Sequence, residues 1–159
     1  MPSLIDERLD RLAAALEGSK LRFATAESCT AGQLAAALGG HAALGSHLER
    51  GYVVYSVDAK CETLGIERAQ AERCGGVTME VTAELASAAL RESRADIAIA
   101  ITGFCGPQED DEEVGLVHIA WRGEGRGGET TFHFGDIGRR QVLDRAVAEA
   151  IDLMEKIAA

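Results

Sequence analysis

Two apolar patterns alternate along the chain, one with the spacing of a helix and one typical of a buried strand. From Leu4 to Leu16, apolar residues recur every three or four positions and Gly18 follows, which predicts a helix and its end. The same spacing predicts further helices, two of them short, over residues 30–38, 59–64, 68–73, 79–92 and about 139–157.

Short, mostly apolar stretches between these helices predict strands. LRFATA at 21–26, GYVVYS at 51–56 and DIAIAITG at 96–103 are three of them, and the third is nearly all apolar, as in a sheet covered on both faces. VGLVHIAW and ETTFHF flank RGEGRGG, which predicts a hairpin. Helix–strand alternation followed by a hairpin predicts an α/β fold, a single three-layer domain over residues 1–159 with a mixed, mostly parallel sheet.

The composition supports a folded domain and limits its partners. Apolar residues make up 47% of the 159 residues, so a core can form without disulfides or metal. The 26 acidic against 16 basic residues give a net charge of −10, which disfavours binding to nucleic acid or to an anionic membrane. The sequence has no stretch of membrane-span length and no signal peptide, and its four cysteines form no CxxC pair. We therefore expect a cytoplasmic protein with reduced thiols.

Three patterns that resemble binding motifs are better explained in other ways. GEGRGG at 123–128 has the letters of a dinucleotide fingerprint, but a predicted strand follows it where that motif requires a helix. The acidic run from Glu109 to Glu113 lacks the spaced ligands of a calcium loop and is expected to be a solvated loop. The four histidines lack metal-ligand spacing, so we predict no metal site.

The turn after the first predicted strand carries an acid, two hydroxyls and a thiol within four residues, 27–30. A helix N-cap would explain one hydroxyl, from Ser28 or Thr30, and would place Glu27 near the positive end of the helix. The same geometry would bring the Ser28 oxygen near free N–H groups of Cys29 and Thr30, which can stabilise an oxyanion or bind a phosphate. The turn alone leaves both interpretations open.

Two other predicted strand ends carry related groups. The second strand delivers Tyr55, and Lys60 follows five residues later. The third strand ends in TGFCGP, which contains Thr102, Gly103 and Gly106. Because the carboxyl ends of parallel strands meet at one edge of a sheet, where α/β proteins bind their ligands, we predict a single site formed by the three clusters.

In sequence order, five motifs resemble those of the CinA C-terminal domain family, the nicotinamide-nucleotide amidohydrolases. TAESCTAG at 25–32 is similar to the family's T-A-E-S-C-T-G-G, and LERGYVVYSVDAK at 48–60 is similar to its segment ending Y-S-N-x-x-K. TGFCGP at 102–107 resembles S/T-G-I-A-G-P, VGLV at 114–117 resembles V-G-x-V, and GDIGRR at 135–140 loosely resembles a G-D-R turn. The resemblance covers nearly the whole chain.

The resemblance implies a homo-oligomeric α/β protein that deamidates a small-molecule nucleotide, nicotinamide mononucleotide, to nicotinate mononucleotide and ammonia without metal or cofactor. Ser28 would attack the carboxamide, and Tyr55 or Lys60 would take its proton, a lysine only if its pKa lies well below about 10.4. Arg139 or Arg140 would counter the phosphate charge. The other substrate-binding residues that the motifs imply are Cys29, Thr30, Gly32, Thr102, Gly103 and Gly106. Because one helix precedes the opening motif, we expect the stand-alone form of the domain.

Several positions depart from the family's motifs. The second glycine of the opening motif is Ala31, the Asn after Tyr-Ser is Val57, and the Ile-Ala pair of the third motif is Phe104-Cys105. The loop after that motif is acidic where the family carries glycine and proline. The sequence therefore leaves two functions open, an active amidohydrolase and a catalytically silent relative that binds a nucleotide or a partner protein. Cys29 or Cys105 as the nucleophile is a less favoured third hypothesis.

Overall fold

The computed structural model describes residues 1–159, and its helices and strands follow one another in the predicted order. The strands are β1 (Phe23–Glu27), β2 (Leu48–Val53), β3 (Ile97–Gly103), β4 (Leu116–Gly123) and β5 (Arg126–His133). The helices are α1 (Leu4–Ala15), α2 (Gln33–Gly40), α3 (Val57–Leu64), α4 (Arg68–Glu72), α5 (Met79–Arg91) and α6 (Arg139–Ala158). Short 3-10 turns cover Gly45–His47 and Arg73–Gly76.

The five strands form one mixed sheet in the order β2-β1-β3-β4-β5. β1 lies between β2 and β3 and is parallel to both, whereas β4 pairs antiparallel with β3 and with β5. The predicted hairpin is confirmed, with Glu124 and Gly125 as its turn, because Gly123 already pairs with Arg126 across the two strands. The predicted mixed sheet is therefore confirmed, with a parallel core of three strands.

Both faces of the sheet are covered, which confirms the three layers. Alternate residues of β3 point to opposite faces, as the pleat of a strand requires. Ile97, Ile99 and Ile101 join the core cluster that includes residues of α1, α2 and α6. Ala98 and Ala100 join the second cluster with residues of α5, and such small side chains allow this helix to pack closely on the sheet. None of the helices is both long enough and apolar enough to cross a membrane.

Several predicted boundaries were wrong by two or three residues, and two of these errors fall at the sheet edge where the site was expected. Helix α2 begins at Gln33 rather than at residue 30, because Ala31 and Gly32 have positive φ angles of 48° and 92°. Ala31 occupies a conformation that glycine adopts without a steric cost. Strand β2 ends at Val53 rather than at residue 56, because Ser56 is the N-cap of α3 and its hydroxyl accepts the N–H of Ala59.

The side chain of Glu27 performs the capping of α2. The helix has Gly32 at its N-cap, which offers no side chain. The carboxylate of Glu27 instead accepts the N–H groups of Leu34 and Ala35, at 2.8 and 3.0 Å, and the hydroxyl of Thr30, at 2.7 Å. Glu27 is fully buried, so these bonds replace its lost hydration. The last residue of β1 thereby fixes both the turn and the helix that follows it.

Replacing Glu27 with alanine should therefore destabilise the protein. The variant leaves two helix N–H groups and a buried hydroxyl without an acceptor, which should lower the free energy of unfolding by about 3 kcal/mol. Urea titration monitored by circular dichroism measures this change. Glu17→Ala, at an exposed position after α1, is the matched control and should change stability by less than about 0.5 kcal/mol. Equal effects of the two substitutions would contradict a capping role for Glu27.

Candidate active site

A cavity of about 240 Å³ opens at the carboxyl ends of β1 and β3. Its wall consists of Ser28, Cys29, Tyr55, Gly75, Val77, Gly103, Phe104, Cys105, Gly106, Pro107, Glu109, Glu112 and Arg139. The segments that follow all three parallel strands therefore contribute to one cavity, together with the acidic loop and the first residue of α6.

Ser28 and Lys60 are joined by a buried hydrogen bond beside this cavity. The Nζ of Lys60 lies 3.0 Å from the Oγ of Ser28 and also donates to the backbone carbonyl of Tyr55, at 3.3 Å. Ser28 is 7% exposed and Lys60 is 1% exposed. The backbone N–H of Ser28 donates to the carbonyl of Ile101, which ties the turn to β3. The serine hydroxyl and the lysine amine are thus held together away from bulk water.

Burial favours the neutral form of this lysine. Loss of hydration lowers the pKa of Lys60 below its ordinary value of 10.5, and the nearby thiols of Cys29 and Cys61 oppose the shift only in part. The two hydrogen-bond partners of Nζ are a hydroxyl and a carbonyl, so no carboxylate stabilises the ammonium directly. Gly76, with a φ of 82°, packs its backbone against the stem of Lys60, where a Cβ would lie 3.1 Å from Cε. The amine is therefore enclosed from this side as well.

The phenol of Tyr55 is bound to Arg139 and not to Ser28. The Nη2 of Arg139 lies 3.0 Å from the Tyr55 Oη, and its Nη1 donates to the carbonyl of Gly106. Tyr55 is 55% exposed, so its ring lies at the mouth of the cavity. Arg140 points elsewhere and pairs with Gln33 and Asp144. Of the two arginines considered from the sequence, the structure brings only Arg139 to the cavity.

Cys29 and Cys105 both lie in the wall of the cavity, and a hydrogen bond between their thiols is the first cause of the pKa shift of each. This bond and burial raise the pKa of Cys29 well above its ordinary value. The bond with Cys29 and the nearby charge of Arg139 lower the pKa of Cys105. The histidines are all bonded elsewhere, to Asp10, the Leu21 carbonyl, Thr131 and Glu113, so neither thiol has an imidazole base.

Three of the substrate-binding residues implied by the resemblance lie outside the cavity wall. The hydroxyl of Thr30 donates to Glu27, and Gly32 begins α2. Thr102 is fully buried and its Oγ1 lies 2.8 Å from the Oγ1 of Thr82, on the side of the sheet covered by α5. These residues make supporting contacts around the site and do not line the cavity.

The wall also contains residues that the sequence analysis did not place there. Glu109 and Glu112 come from the acidic loop, and Gly75 and Val77 come from the segment between α4 and α5. The acidic loop directly follows TGFCGP in the sequence. Because that motif was predicted to lie at the site, the loop could have been predicted to lie near it. Partial burial, together with Glu109 and Asp110, raises the pKa of Glu112. No three His, Cys, Asp or Glu side chains are gathered as a metal ion would require.

Comparison with known proteins identifies the family. The model of the CinA C-terminal domain family matches residues 6–158. The chain belongs to the CinA C-terminal domain family. It is 37% identical to the nicotinamide-nucleotide amidohydrolase PncC of Escherichia coli K12 over 121 residues, which are 73% of each protein. It is also 36% identical to E. coli protein YdeJ over 132 residues, 82% of this chain and 77% of YdeJ.

Solved structures of CinA-family proteins share the fold. The competence/damage-inducible protein CihA from Agrobacterium tumefaciens superposes with a TM-score of 0.92 at 32% identity, over 100% of this chain and 98% of that one. A CinA superfamily protein from Klebsiella pneumoniae gives a TM-score of 0.89 at 32% identity, over 98% of each chain. Some CinA-family relatives are longer: in the CinA-like protein of Chlorobium limicola the matched region is 30% of the length.

Gly103 is the last residue of β3 in this CinA-family protein. Replacing it with alanine tests how closely the end of β3 packs against β4 and against the turn after β1. A Cβ there would lie 2.8 Å from the Leu116 carbonyl oxygen, 2.9 Å from Val117 Cγ2 and 3.3 Å from the thiol of Cys29. Such overpacking should lower the free energy of unfolding by about 1–3 kcal/mol and displace the Cys29 wall. Thermal denaturation measures the loss.

Gly40→Ala is the matched control for this prediction. Gly40 is helical, and a Cβ there would meet nothing within 4 Å. Because alanine favours a helix over glycine by about 1 kcal/mol, this variant should keep or raise stability. A Gly103→Ala protein as stable as Gly40→Ala would contradict the close packing of Gly103 against Leu116 and Val117.

Proposed function

We propose that this protein is an amidohydrolase that converts nicotinamide mononucleotide to nicotinate mononucleotide and ammonia. The observation that carries the proposal is the buried hydrogen bond between Ser28 and Lys60 beside an open cavity. A serine hydroxyl paired with an amine of lowered pKa is a typical nucleophile and base. The identity with PncC supports the substrate class.

In the proposed reaction, Lys60 in its neutral form accepts the hydroxyl proton as the Oγ of Ser28 attacks the carboxamide carbon. The resulting ammonium of Lys60 then donates this proton to the departing amide nitrogen, which leaves as ammonia. An ester between Ser28 and the nicotinoyl group remains. Lys60 next takes a proton from water, which attacks the ester and releases the carboxylic acid, and the proton returns to the Oγ of Ser28.

The turn after β1 offers donors for the negative charge that develops on the amide oxygen. The N–H of Ser28 is already bonded to Ile101, whereas the N–H groups of Cys29 and Thr30 have no acceptor within the protein. Free N–H groups beside a nucleophile stabilise an oxyanion in the tetrahedral intermediate. We assign this role to these two amides.

Lys60 is the base in this proposal and Tyr55 supports it. The carbonyl of Tyr55 accepts a hydrogen bond from Nζ and so orients the amine, while the phenol is occupied by Arg139. Tyr55 and Arg139 then form one side of the entrance and contact the parts of the substrate that are remote from the amide.

The first test is ammonia release from nicotinamide mononucleotide by the purified protein and by Ser28→Ala. We expect the variant to lose activity by at least about a thousandfold, because it has no nucleophile, and to keep its fold by circular dichroism. Ser46→Ala, at an exposed serine of the same chain, should retain full activity.

Two outcomes would contradict the assignment of Ser28. An active Ser28→Ala protein would exclude the serine as nucleophile. Loss of activity in Cys105→Ala, with Ser28→Ala still active, would move the role to the Cys105 thiol, whose pKa is lowered by the bond with Cys29 and by the charge of Arg139.

Replacing Lys60 with methionine should remove activity while preserving stability. Methionine fills the space of the lysine stem and places no charge in the interior, so we expect a stability loss of at most about 1 kcal/mol. Ammonia release should fall by about 10²–10⁴-fold, the usual contribution of a positioned base. Exposed Lys20→Met is the control and should behave as the wild type. Wild-type kinetics in Lys60→Met would contradict the assignment.

The pH profile of the wild type provides the matching test. Only the neutral amine can accept a proton, so kcat/KM should rise with pH as Lys60 loses its proton. Because burial lowers this pKa, the midpoint of the rise should lie below 10.5. The rise should be absent from the residual activity of Lys60→Met. A profile that is flat or that falls through this range would contradict a lysine base.

The alternative is that the protein binds a nucleotide without hydrolysing it. Two residues in the cavity wall favour this alternative. Phe104 and Cys105 stand there in place of the smaller aliphatic pair of the family motif. A wild type that binds the nucleotide but releases no ammonia would support this alternative over the amidohydrolase.

A further inference from the structure

The cavity wall contains two thiols that the proposed serine chemistry does not use. Cys29 directly follows Ser28, and Cys105 belongs to the segment that follows β3. Both residues are buried, and both line the cavity. The family motif has alanine at the position of Cys105, so this pair of thiols is not part of that motif. The pair is therefore available for chemistry of its own.

The sheet holds these two thiols side by side. β1 and β3 are neighbouring parallel strands, and Glu27 pairs with Ile101 at their carboxyl ends. A Cβ on Gly103, two residues before Cys105, would lie 3.3 Å from the Sγ of Cys29. The thiols of Cys29 and Cys105 are each other's hydrogen-bond partner. Two cysteines whose sulfurs already lie together can be joined by a disulfide, whereas cysteines that point apart cannot.

The surroundings give the two thiols different reactivity. The hydrogen bond with Cys29 and the nearby charge of Arg139 lower the pKa of Cys105. The hydrogen bond with Cys105 and burial raise the pKa of Cys29. Because the thiolate is the form that attacks an oxidant, we expect Cys105 to react first and Cys29 to react with the product.

The cavity limits the class of oxidant that can reach this pair. Its volume of about 240 Å³ is below the range of about 300–1,000 Å³ that is usual for pockets enclosing a drug-sized ligand. A small hydroperoxide fits in this space. A bulky disulfide would have to bring its own sulfur up to residues that are only 7% and 4% exposed. The geometry therefore favours a hydroperoxide over thiol–disulfide exchange.

We propose that Cys29 and Cys105 are a redox-active pair that a small hydroperoxide converts into a disulfide. The sulfur of Cys105 attacks one oxygen of the O–O bond, which breaks. The other oxygen leaves as an alcohol or as water with the proton of this thiol, and Cys105 becomes a sulfenic acid. The sulfur of Cys29 then attacks the sulfenic sulfur, and the hydroxyl leaves as water with the proton of Cys29. The two thiols lose two electrons and two protons in all, and the peroxide gains them.

Peptide mapping after peroxide treatment tests the bond directly. The reduced protein is treated with hydrogen peroxide, its remaining thiols are blocked with N-ethylmaleimide, and it is digested with trypsin without reduction. Each cysteine then lies on a tryptic peptide of its own: Cys29 on 23–50, Cys61 on 61–68, Cys74 on 74–91 and Cys105 on 95–122. We expect 23–50 linked to 95–122, lighter by two hydrogen atoms than the free peptides together, and separated by dithiothreitol. Any other state of these two cysteines in the treated protein would overturn the proposal.

Single variants test the order of the two steps. Cys29→Ala leaves the first thiol without a partner, so Cys105 should stop at the sulfenic acid and be labelled by dimedone. Cys105→Ala should leave Cys29 unlabelled. Cys74→Ser, which removes an exposed thiol outside the cavity wall, is the matched control and should form the same linked peptide as the wild type. Labelling of Cys29 in Cys105→Ala, without labelling of Cys105 in Cys29→Ala, would overturn the assignment of the attacking thiol.

The disulfide has a consequence for ammonia release, and this consequence rests on the proposed amidohydrolase function. Cys29 supplies one of the two N–H groups assigned to the oxyanion, so drawing its side chain toward Cys105 displaces that donor. Peroxide treatment should therefore lower ammonia release from nicotinamide mononucleotide by at least about tenfold, and dithiothreitol should restore it. In Cys105→Ala, the rates before and after treatment should be equal. Full wild-type activity with the linked peptide present would overturn the consequence.

The two readouts separate this proposal from the amidohydrolase function. If the untreated wild type releases no ammonia, the amidohydrolase function fails, and the linked peptide alone decides whether Cys29 and Cys105 form the redox-active pair. If the untreated wild type is active and no linked peptide forms, the amidohydrolase function stands and the redox-active pair is overturned.

Discussion

The site depends on one buried contact, the hydrogen bond from the amine of Lys60 to the hydroxyl of Ser28. An amine removed from water without a carboxylate partner is costly to charge, and this cost favours its neutral form. The surrounding structure encloses the amine with the Tyr55 carbonyl and with the backbone of Gly76. In a purely structural lysine such burial would only be a penalty, whereas in the proposed reaction it prepares Lys60 to accept a proton.

The contact exists because the sheet brings two sequence-distant turns together. Glu27 ends β1, binds the first turn of α2 and leaves Ser28 at the strand end. Ser56 caps α3, which places Lys60 one turn into that helix and above the same edge. Parallel pairing of β1 and β2 aligns the two strand ends, so a serine and a lysine 32 residues apart meet. Local capping and strand pairing together set the geometry of the site.

The fold and the proximity of Ser28 to Lys60 could be predicted from the sequence, while the wall of the cavity could be predicted only in part. Helical and strand periodicities determine the layers, and strand ends locate Ser28 and Lys60. The sequence predicts Thr102 in the site, but its side chain lies on the same face of β3 as Ala98 and Ala100, which pack against α5. Strict alternation along DIAIAITG contained that information. Glu109 and Glu112 belong to a loop without periodicity, and only three-dimensional structure brings such a loop to a cavity.

The proposed nucleophile and base therefore come from a different kind of structure than the residues of the entrance. Ser28 and Lys60 are fixed by a strand end and a capped helix, and both are buried. Phe104, Cys105 and the acidic loop follow β3 and contribute to the wall of the cavity. Those are also positions at which the sequence departs from its family's motifs. Because loops tolerate substitution better than the elements that carry them, we expect such changes to affect the choice of ligand before they affect the proposed chemistry.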